Sequence, residues 1–215
     1  MEEGSESRGP RTWPLAAVVL LAAIVVARVA ATYSITSQGF DEPCHVAAAL
    51  EFLDKGTYTL DPVHPPLARV AIGLPLYLLG VRYPPFPPDD AGARNYNVVG
   101  NRILFDGVHY ARNLTAARIG VLPFLLAGVI VVFLWTRQLS GAVAAVFAVG
   151  LLTTLPVILA FSRLAYTDIA AGTMQTLKSK AADKSVRPTL FPFWESHFLV
   201  RFPKTLALRI RESFQ

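Results

Sequence analysis

The stretch IGVLPFLLAGVIVVFLWTRQLSGAVAAVFAVGLLTTLPVILAF, residues 119–161, decides the fold of this chain. Residues 119–135 are almost purely apolar, and residues 142–161 are apolar apart from two threonines near their end. A helix needs about 20 apolar residues to cross the hydrocarbon core of a bilayer. Because only residues 136–141 separate the two runs, we predict two membrane-spanning helices joined by a short turn.

A third apolar run lies near the N-terminus, at residues 13–35, and contains one arginine, Arg28. A cleaved signal peptide is the alternative interpretation, but its apolar core usually has about 7 to 15 residues and follows a basic region. This run is longer, and the polar tail before it, residues 1–12, is not strongly basic. We therefore favour an uncleaved membrane helix, in which Arg28 must reach the interface or face other helices.

The composition agrees with a membrane protein. Of the 215 residues, 53% are hydrophobic and 16% are charged, whereas soluble domains carry about 25% charged residues. The net charge of +5 fits lipid headgroups and topology better than nucleic acid, because no basic stripe with interleaved aromatics is visible. One cysteine, Cys44, excludes an intramolecular disulfide. We expect a mainly α, polytopic integral membrane protein with about three transmembrane helices.

The orientation follows from Arg137 in the short turn, because short loops rich in Lys and Arg stay in the cytoplasm. The N-terminus is then also cytoplasmic, and residues 36–118 form an external loop of a multi-pass plasma (inner) membrane protein. The loop is rich in arginine, but loops longer than about 60 residues are exempt from this bias. Within it, residues 67–81 are apolar but short, so we expect an interfacial helix; if they span, the downstream topology inverts.

The external loop opens with FDEPCHVAAALEFLDKGTYTLDPVHPPLAR, residues 40–69. Pro43 suits the first turn of a helix, and Asp41 before it is a good N-cap residue. Apolar residues then recur at helical spacing as far as Gly56, which suits the C-terminal stop. The pattern predicts a short amphipathic helix over residues 43–55, resting on the outer membrane surface.

Local structure alone explains the polar residues of this stretch. Asp41 and Glu42 suit the positive end of a helix dipole, His45 is a polar-face residue and His64 a turn residue. Acidic and basic groups nevertheless gather around one helix just outside the predicted membrane, at the depth of lipid phosphates. That clustering favours an active site as the alternative interpretation.

The stretch also resembles the first external loop of polytopic glycosyltransferases that use lipid-linked sugars. These form the GT-C class, which includes the protein mannosyltransferase (glycosyltransferase family 39) and aminoarabinose transferase families. The matching features are an Asp-Glu pair after the first span and a His-Pro-Pro-Leu segment at residues 64–67. An Arg-Leu-x-x-Thr-Asp motif follows at residues 163–168, after the next two spans. The resemblance covers residues 13–172.

The resemblance implies transfer of a sugar from a polyprenyl phosphate carrier to an acceptor, with inversion at the anomeric carbon. Asp41 is then the candidate general base, and Glu42 supports it or binds a hydroxyl group. Asp168 would face the same cavity from the second external edge, where it positions the acceptor or a metal. No cofactor is assigned, although a divalent metal is possible, and the expected partners are the polyprenyl-phosphate sugar and membrane lipids, not nucleic acid.

The leaving group in such a reaction is a lipid phosphate, whose developing charge must be met by cations or hydrogen-bond donors. His64 and Arg69 are the candidates for this role, although many members of the class carry lysine where His64 stands. His45 lies one helical turn after Asp41 and would orient that carboxylate.

The chain departs from the class where a fourth span is expected. Hydrophobicity ends shortly after Asp168, and residues 173–215 form a divergent basic tail. We therefore expect an incomplete copy, by truncation or frameshift, and one that is inactive if the chain is truly truncated. Two alternatives stay open: a noncatalytic membrane anchor or interaction protein, and a transporter fragment in which Arg28 is functional.

Overall fold

A computed structural model describes residues 12–182 apart from residues 65, 88–89 and 107. This part of the chain is mainly helical and contains no strand. The helices are α1 (Trp13–Ala30), α2 (Glu42–Lys55), α3 (Pro66–Leu78), α4 (Tyr96–Leu104), α5 (Tyr110–Ile119), α6 (Leu122–Thr154), α7 (Pro156–Ser162) and α8 (Asp168–Ala182), with a 3-10 helix at Ala91–Arg94. Most of the two predicted terminal tails, residues 1–11 and 183–215, lies outside the described residues.

Helix α6 is a hairpin whose two halves lie side by side. Gly141 has φ of 86° and ψ of 177°, a backbone conformation that residues other than glycine rarely adopt. Val129 and Val149 belong to one packed cluster, although an unbroken helix would separate them by about 30 Å. The chain therefore reverses direction at Gly141, within the turn predicted at residues 136–141.

The second half of the hairpin continues into α7 through a break at Leu155. The ψ of Leu155 is 124°, because the ring of Pro156 disfavours helical backbone in the residue before it. The hydroxyls of Thr153 and Thr154 donate to carbonyls of the preceding turn, among them Gly150. Such internal bonding satisfies polar groups that an apolar environment would otherwise leave without a partner.

Two helical stretches are long and apolar enough to cross a membrane, namely α1 and the stretch Tyr110–Thr154. Both present large apolar side chains outward, a feature typical of surfaces that another apolar phase covers. These side chains include Val19, Leu20, Ile24, Ile130, Phe147 and Leu151. The third apolar helix, α3, has 13 residues and a length of about 20 Å, too short to span the hydrocarbon core.

Helices α2 to α5, residues 42–119, form a second layer that we call the loop layer. Helix α2 is its centre and packs against α3 and α4, while α3 packs against α5. The predicted end at Gly56 is confirmed, since this glycine has φ of 65° and its N–H donates to Phe52. The loop layer joins the hairpin and α8 through a small apolar cluster of Ala68, Phe124 and Ala170.

The prediction that α2 is an amphipathic surface helix is wrong. Every residue from Glu42 to Phe52 is buried. Two glycines let the neighbouring helices approach α2 closely: a Cβ on Gly100 would overlap the carbonyl of Pro43, and one on Gly73 would lie 2.6 Å from Cβ of Ala49. The backbone of α4 therefore lies directly against the start of α2.

Candidate functional site

A buried ion pair joins Glu42 at the start of α2 to Arg118 at the end of α5. Both side chains are fully buried. Arg118 donates from Nε to Oε1 at 2.8 Å and from Nη2 to Oε2 at 2.9 Å, the two-pronged geometry that matches a guanidinium to a carboxylate. The carboxylate also accepts from the backbone N–H of Gly39 at 2.6 Å and of Ala165 at 2.7 Å. Glu42 is thus saturated with donors.

The rest of the Arg118 guanidinium holds the chain just after α1. Its Nη1 donates to the carbonyls of Tyr33 at 3.0 Å and Thr36 at 3.1 Å, and its Nη2 donates to the carbonyl of Ser37 at 2.9 Å. The ion pair and its backbone partners therefore fix four segments at one point: the end of α1, the start of α2, the end of α5 and the α7–α8 linker. The sequence analysis did not identify Arg118; the available signal was a cation directly before an apolar span.

Asp41 precedes Glu42 and has the opposite environment, because it is exposed. It occupies the N-cap position of α2 as predicted, but its side chain makes no capping hydrogen bond. Its backbone N–H donates to the phenol oxygen of Tyr166 at 3.4 Å. Among the described residues, no side chain forms an ion pair with the Asp41 carboxylate.

Tyr166 is within electrostatic reach of the two exposed carboxylates of the predicted site, Asp41 and Asp168. Burial is the main cause that raises its pKa; the hydrogen bond from Asp41 opposes this, and the charges of Asp41, Glu42 and Asp168 raise the pKa further. These effects require proximity, so one phenol lies within electrostatic reach of both Asp41 and Asp168. Asp168 is exposed at the first position of α8 and also lines an apolar cavity of about 240 Å³ between the hairpin and α8.

One histidine, His45, adjoins Tyr166, and the second, His64, adjoins His45. The ring of His45 meets the edges of His64 and Tyr166, with centroid distances of 5.5 and 5.9 Å. Burial, followed by the charges of Arg69 and His64, lowers the pKa of His45 to about 4, against a smaller opposing effect of Asp61. His45 is therefore neutral at physiological pH. Its Nδ1 lies 3.8 Å from Sγ of Cys44, and among the described residues no hydrogen bond joins it to the Asp41 carboxylate.

Arg69, a predicted phosphate ligand, is enclosed in the protein interior and does not face solvent. It is fully buried, and its two terminal nitrogens donate at 2.5 Å to the backbone carbonyl and to Oδ2 of Asp61. Although burial raises the pKa of Asp61, the hydrogen bond and charge of Arg69 lower it overall. The arginine charge is therefore matched within the protein, and the arginine shapes the loop that carries His64.

The structure thus places Asp41 and His45 against Tyr166, with His64 against His45 and Asp168 within electrostatic reach of the phenol. We call these five residues the Tyr166 cluster. Glu42 and Arg69 support the cluster from within the protein. Sequence reasoning missed Tyr166, since a tyrosine inside a membrane-edge motif carries no distinctive pattern. In the described part of the chain, no group of three or more His, Cys, Asp or Glu side chains is arranged to hold a metal ion.

A larger cavity than the one that Asp168 lines lies elsewhere. It has a volume of about 590 Å³ and lies between the end of α2 and a proline-rich segment at residues 83–87. Glu51, on its wall, accepts hydrogen bonds from Thr57, Thr59 and the N–H of Leu60. None of the predicted site residues lines this cavity, so its size does not mark it as the site.

Comparison with known proteins gives no relative: no family model, no curated protein and no solved structure matches this chain.

We predict that Arg118→Met lowers the free energy of unfolding by about 3–5 kcal/mol, because it leaves the Glu42 carboxylate buried without its partner. Arg102→Met is the matched control, since Arg102 is half exposed and lies 3.6 Å from Asp90, in an ion pair of a kind worth about 1 kcal/mol or less. Denaturant unfolding in lipid nanodiscs measures both. Equal small losses would contradict the central role of the buried pair.

We also predict that acid destabilises the fold through His45. Its folded pKa of about 4 lies below the value of about 6.5 in unfolded chains. The unfolded state therefore binds an extra proton below pH 6.5, and stability falls by up to about 3 kcal/mol as the pH drops from about 6.5 towards 4. Thermal unfolding at a series of pH values measures this slope.

His45→Gln should flatten that slope between pH 6.5 and 5, whereas His109→Gln, at an exposed histidine before α5, should keep it. The comparison uses the slope and not the absolute melting temperature, so a loss of packing in the variant does not affect it. A wild-type slope in His45→Gln would contradict the assignment.

Proposed function

We propose that this chain is a membrane glycosyltransferase domain that transfers a sugar from a polyprenyl phosphate donor to an acceptor with inversion. The observation that carries the proposal is the placement of Asp41, an exposed carboxylate without an ion-pair partner among the described residues. It lies at a helix start that the Glu42–Arg118 pair immobilises, and the phenol beside its backbone, that of Tyr166, is within electrostatic reach of a second exposed carboxylate, Asp168.

The chemistry needs one base on the acceptor side. The Asp41 carboxylate takes the proton of an acceptor hydroxyl as that oxygen attacks the anomeric carbon. The bond from this carbon to the phosphate oxygen breaks on the opposite face, and the polyprenyl phosphate leaves with the electron pair. Rigid placement of the base contributes to rate because the reacting atoms need little reorganisation, and the buried pair next to Asp41 supplies that rigidity.

The other predicted residues take more limited roles in this proposal. His64 is a hydrogen-bond donor available to the phosphate, on a loop shaped by the Asp61–Arg69 pair. Glu42 supports Asp41 through the backbone rather than by binding sugar, because its carboxylate already accepts four hydrogen bonds. Asp168 positions the acceptor, and no metal or cofactor is assigned to the reaction.

The proposed location is the plasma (inner) membrane, with three spans. Helix α1, the first half of the hairpin, and its second half together with α7 cross the bilayer. The N-terminus and the turn at Gly141 lie in the cytoplasm, and the loop layer lies outside. Outward apolar side chains on α1 and the hairpin support this arrangement. Arg28 also agrees with it, since it is exposed in the last turn of α1, where a cation suits the helix dipole and reaches the interface.

We predict that a membrane-impermeant maleimide distinguishes two exposed positions, one on each side of the membrane, in a Cys44→Ala background. Leu139→Cys, beside the hairpin turn, is 66% exposed, and Val108→Cys, in the loop layer, replaces a side chain that is 94% exposed. Reagent added to intact cells should label position 108 alone, and permeabilised cells should label both. Labelling of position 139 in intact cells would contradict the proposed topology.

A noncatalytic membrane anchor is the second candidate. The observation that favours it is the internal use of two predicted site residues, since Glu42 and Arg69 are both buried in ion pairs within the protein. An anchor needs the same fold but no free base. The transporter alternative has less support, because Arg28 is exposed at a helix end rather than enclosed between helices.

We predict that Asp41→Asn lowers sugar transfer by about 100-fold or more, the usual contribution of a general base. The assay uses the full chain in lipid nanodiscs, with radiolabelled hexose on polyprenyl phosphate as donor. Asp106→Asn, at an exposed carboxylate in the α4–α5 linker, is the matched control and should leave transfer unchanged. Full activity of Asp41→Asn would remove the assigned base, and no transfer by the unaltered chain would favour the anchor.

A further inference from the structure

The hydroxyl of Tyr166 accepts one hydrogen bond but donates none within the described part of the chain. A phenol accepts through its oxygen and donates its own proton. The oxygen accepts from the backbone N–H of Asp41 at 3.4 Å, whereas no acceptor in the described part of the chain takes the proton. Tyr166 is partly exposed, so the proton is accessible to a ligand.

The loop before α2 is built so that this phenol can lie against it. A Cβ on residue 39 would lie 2.7 Å from the phenol oxygen and 3.3 Å from the ring carbon that bears it. Glycine at position 39 therefore permits the close approach that places the hydroxyl beside Asp41. Since burial and the neighbouring carboxylates raise the pKa of Tyr166, the phenol keeps its proton and remains a donor at physiological pH.

The charges around this hydroxyl are unbalanced. Two arginines approach the cluster from within, but Arg118 is matched by Glu42 and Arg69 by Asp61. Asp41 and Asp168 are exposed, and the described residues include no ion-pair partner for either of them. His45 is neutral because of its low pKa. The two carboxylates near the phenol therefore carry negative charges that no ion pair among the described residues offsets, and the Tyr166 hydroxyl is a neutral donor near both.

We infer that Tyr166 binds the acceptor directly, by donating its hydroxyl proton to an acceptor oxygen between Asp41 and Asp168, and that the site takes a neutral, hydroxyl-bearing acceptor in preference to a phosphate-bearing one. This inference rests on the proposed function and adds to it a further substrate-contacting residue and the charge class of the acceptor. Two carboxylates repel an anionic acceptor, whereas a neutral hydroxyl receives one hydrogen bond from Tyr166 and gives its own proton to Asp41.

The first test compares acceptors at pH 8. The full chain in nanodiscs receives radiolabelled hexose on polyprenyl phosphate and matched acceptor pairs. One pair is a threonine peptide with and without an adjacent phosphothreonine, and the other is a neutral alkyl glycoside with and without a 6-phosphate. We expect the neutral member of at least one pair to react about tenfold more efficiently, a ratio that moderate repulsion between charges supplies.

Asp168→Asn should reduce that preference, and added salt should reduce it as well, because both weaken the repulsion. Comparing the two pairs shows whether the neutral hydroxyl comes from a peptide or from a saccharide. Equal use of neutral and phosphate-bearing acceptors would overturn the inference and leave the proposed transferase intact. Absence of transfer to every acceptor would overturn the proposed function, and the inference with it.

The second test isolates the hydroxyl of Tyr166. Tyr166→Phe should raise the KM for the acceptor by about tenfold, the loss expected for one hydrogen bond in a binding site, with little change in the KM for the donor. Tyr110→Phe is the matched control, since its phenol oxygen also accepts a backbone N–H from the same loop, that of Gln38 at 2.9 Å. An unchanged acceptor KM in Tyr166→Phe would overturn the assigned contact.

A purely structural role of Tyr166 would change both kinetic constants through stability, so melting temperatures accompany the kinetics. If Tyr166→Phe does not fold, the first test still applies. A preference of the unaltered chain for neutral acceptors that Asp168→Asn reduces supports the inferred site, and no such preference contradicts it.

Discussion

The buried pair of Glu42 and Arg118 is the interaction on which the rest of this structure depends. Two charges removed from water are tolerated only when each finds full hydrogen bonding. Here the carboxylate accepts four hydrogen bonds, and the guanidinium binds the carboxylate and the carbonyls after α1. The contact joins the apolar helices to the loop layer, so the loop layer has one defined position relative to the hairpin.

The same contact separates the polar residues into buried ones, which hold the backbone in place, and exposed ones. Glu42 and Asp41 are neighbours, yet one is fully buried and the other exposed, because the first turn of α2 directs them to different sides. Fixing Glu42 also fixes the backbone of Asp41, against which the phenol of Tyr166 lies. Arg69 supports the neighbouring loop through Asp61 in a similar way. Asp41 and Asp168 are exposed and Tyr166 is partly exposed. In the proposed function, these three groups bind the acceptor.

Helix α2 shows why a polar pattern does not by itself identify a surface. Its periodicity predicted one apolar face and one solvated face, but its polar side chains find partners inside the protein. Glu51 accepts hydrogen bonds from residues 57–60, which fold back over the helix, and His45 packs against two aromatic rings. Internal hydrogen bonding offsets the cost of burying these groups. A helix with an amphipathic sequence pattern can therefore be enclosed on both faces.

The sequence by itself determined the features that depend on neighbouring residues and on composition. These are the apolar lengths of α1 and the hairpin, the reversal at Gly141, and the helix that begins at Glu42 and stops at Gly56. The break before Pro156, inside the span predicted at residues 142–161, was not predicted. Only the tertiary structure decided which charges are paired and which remain free. Arg118 and Glu42 are 76 positions apart, and Tyr166 and Asp41 are 125 apart. Contacts at such separations leave no periodic trace in a sequence, because they arise from the packing of helices that meet only when the chain has folded.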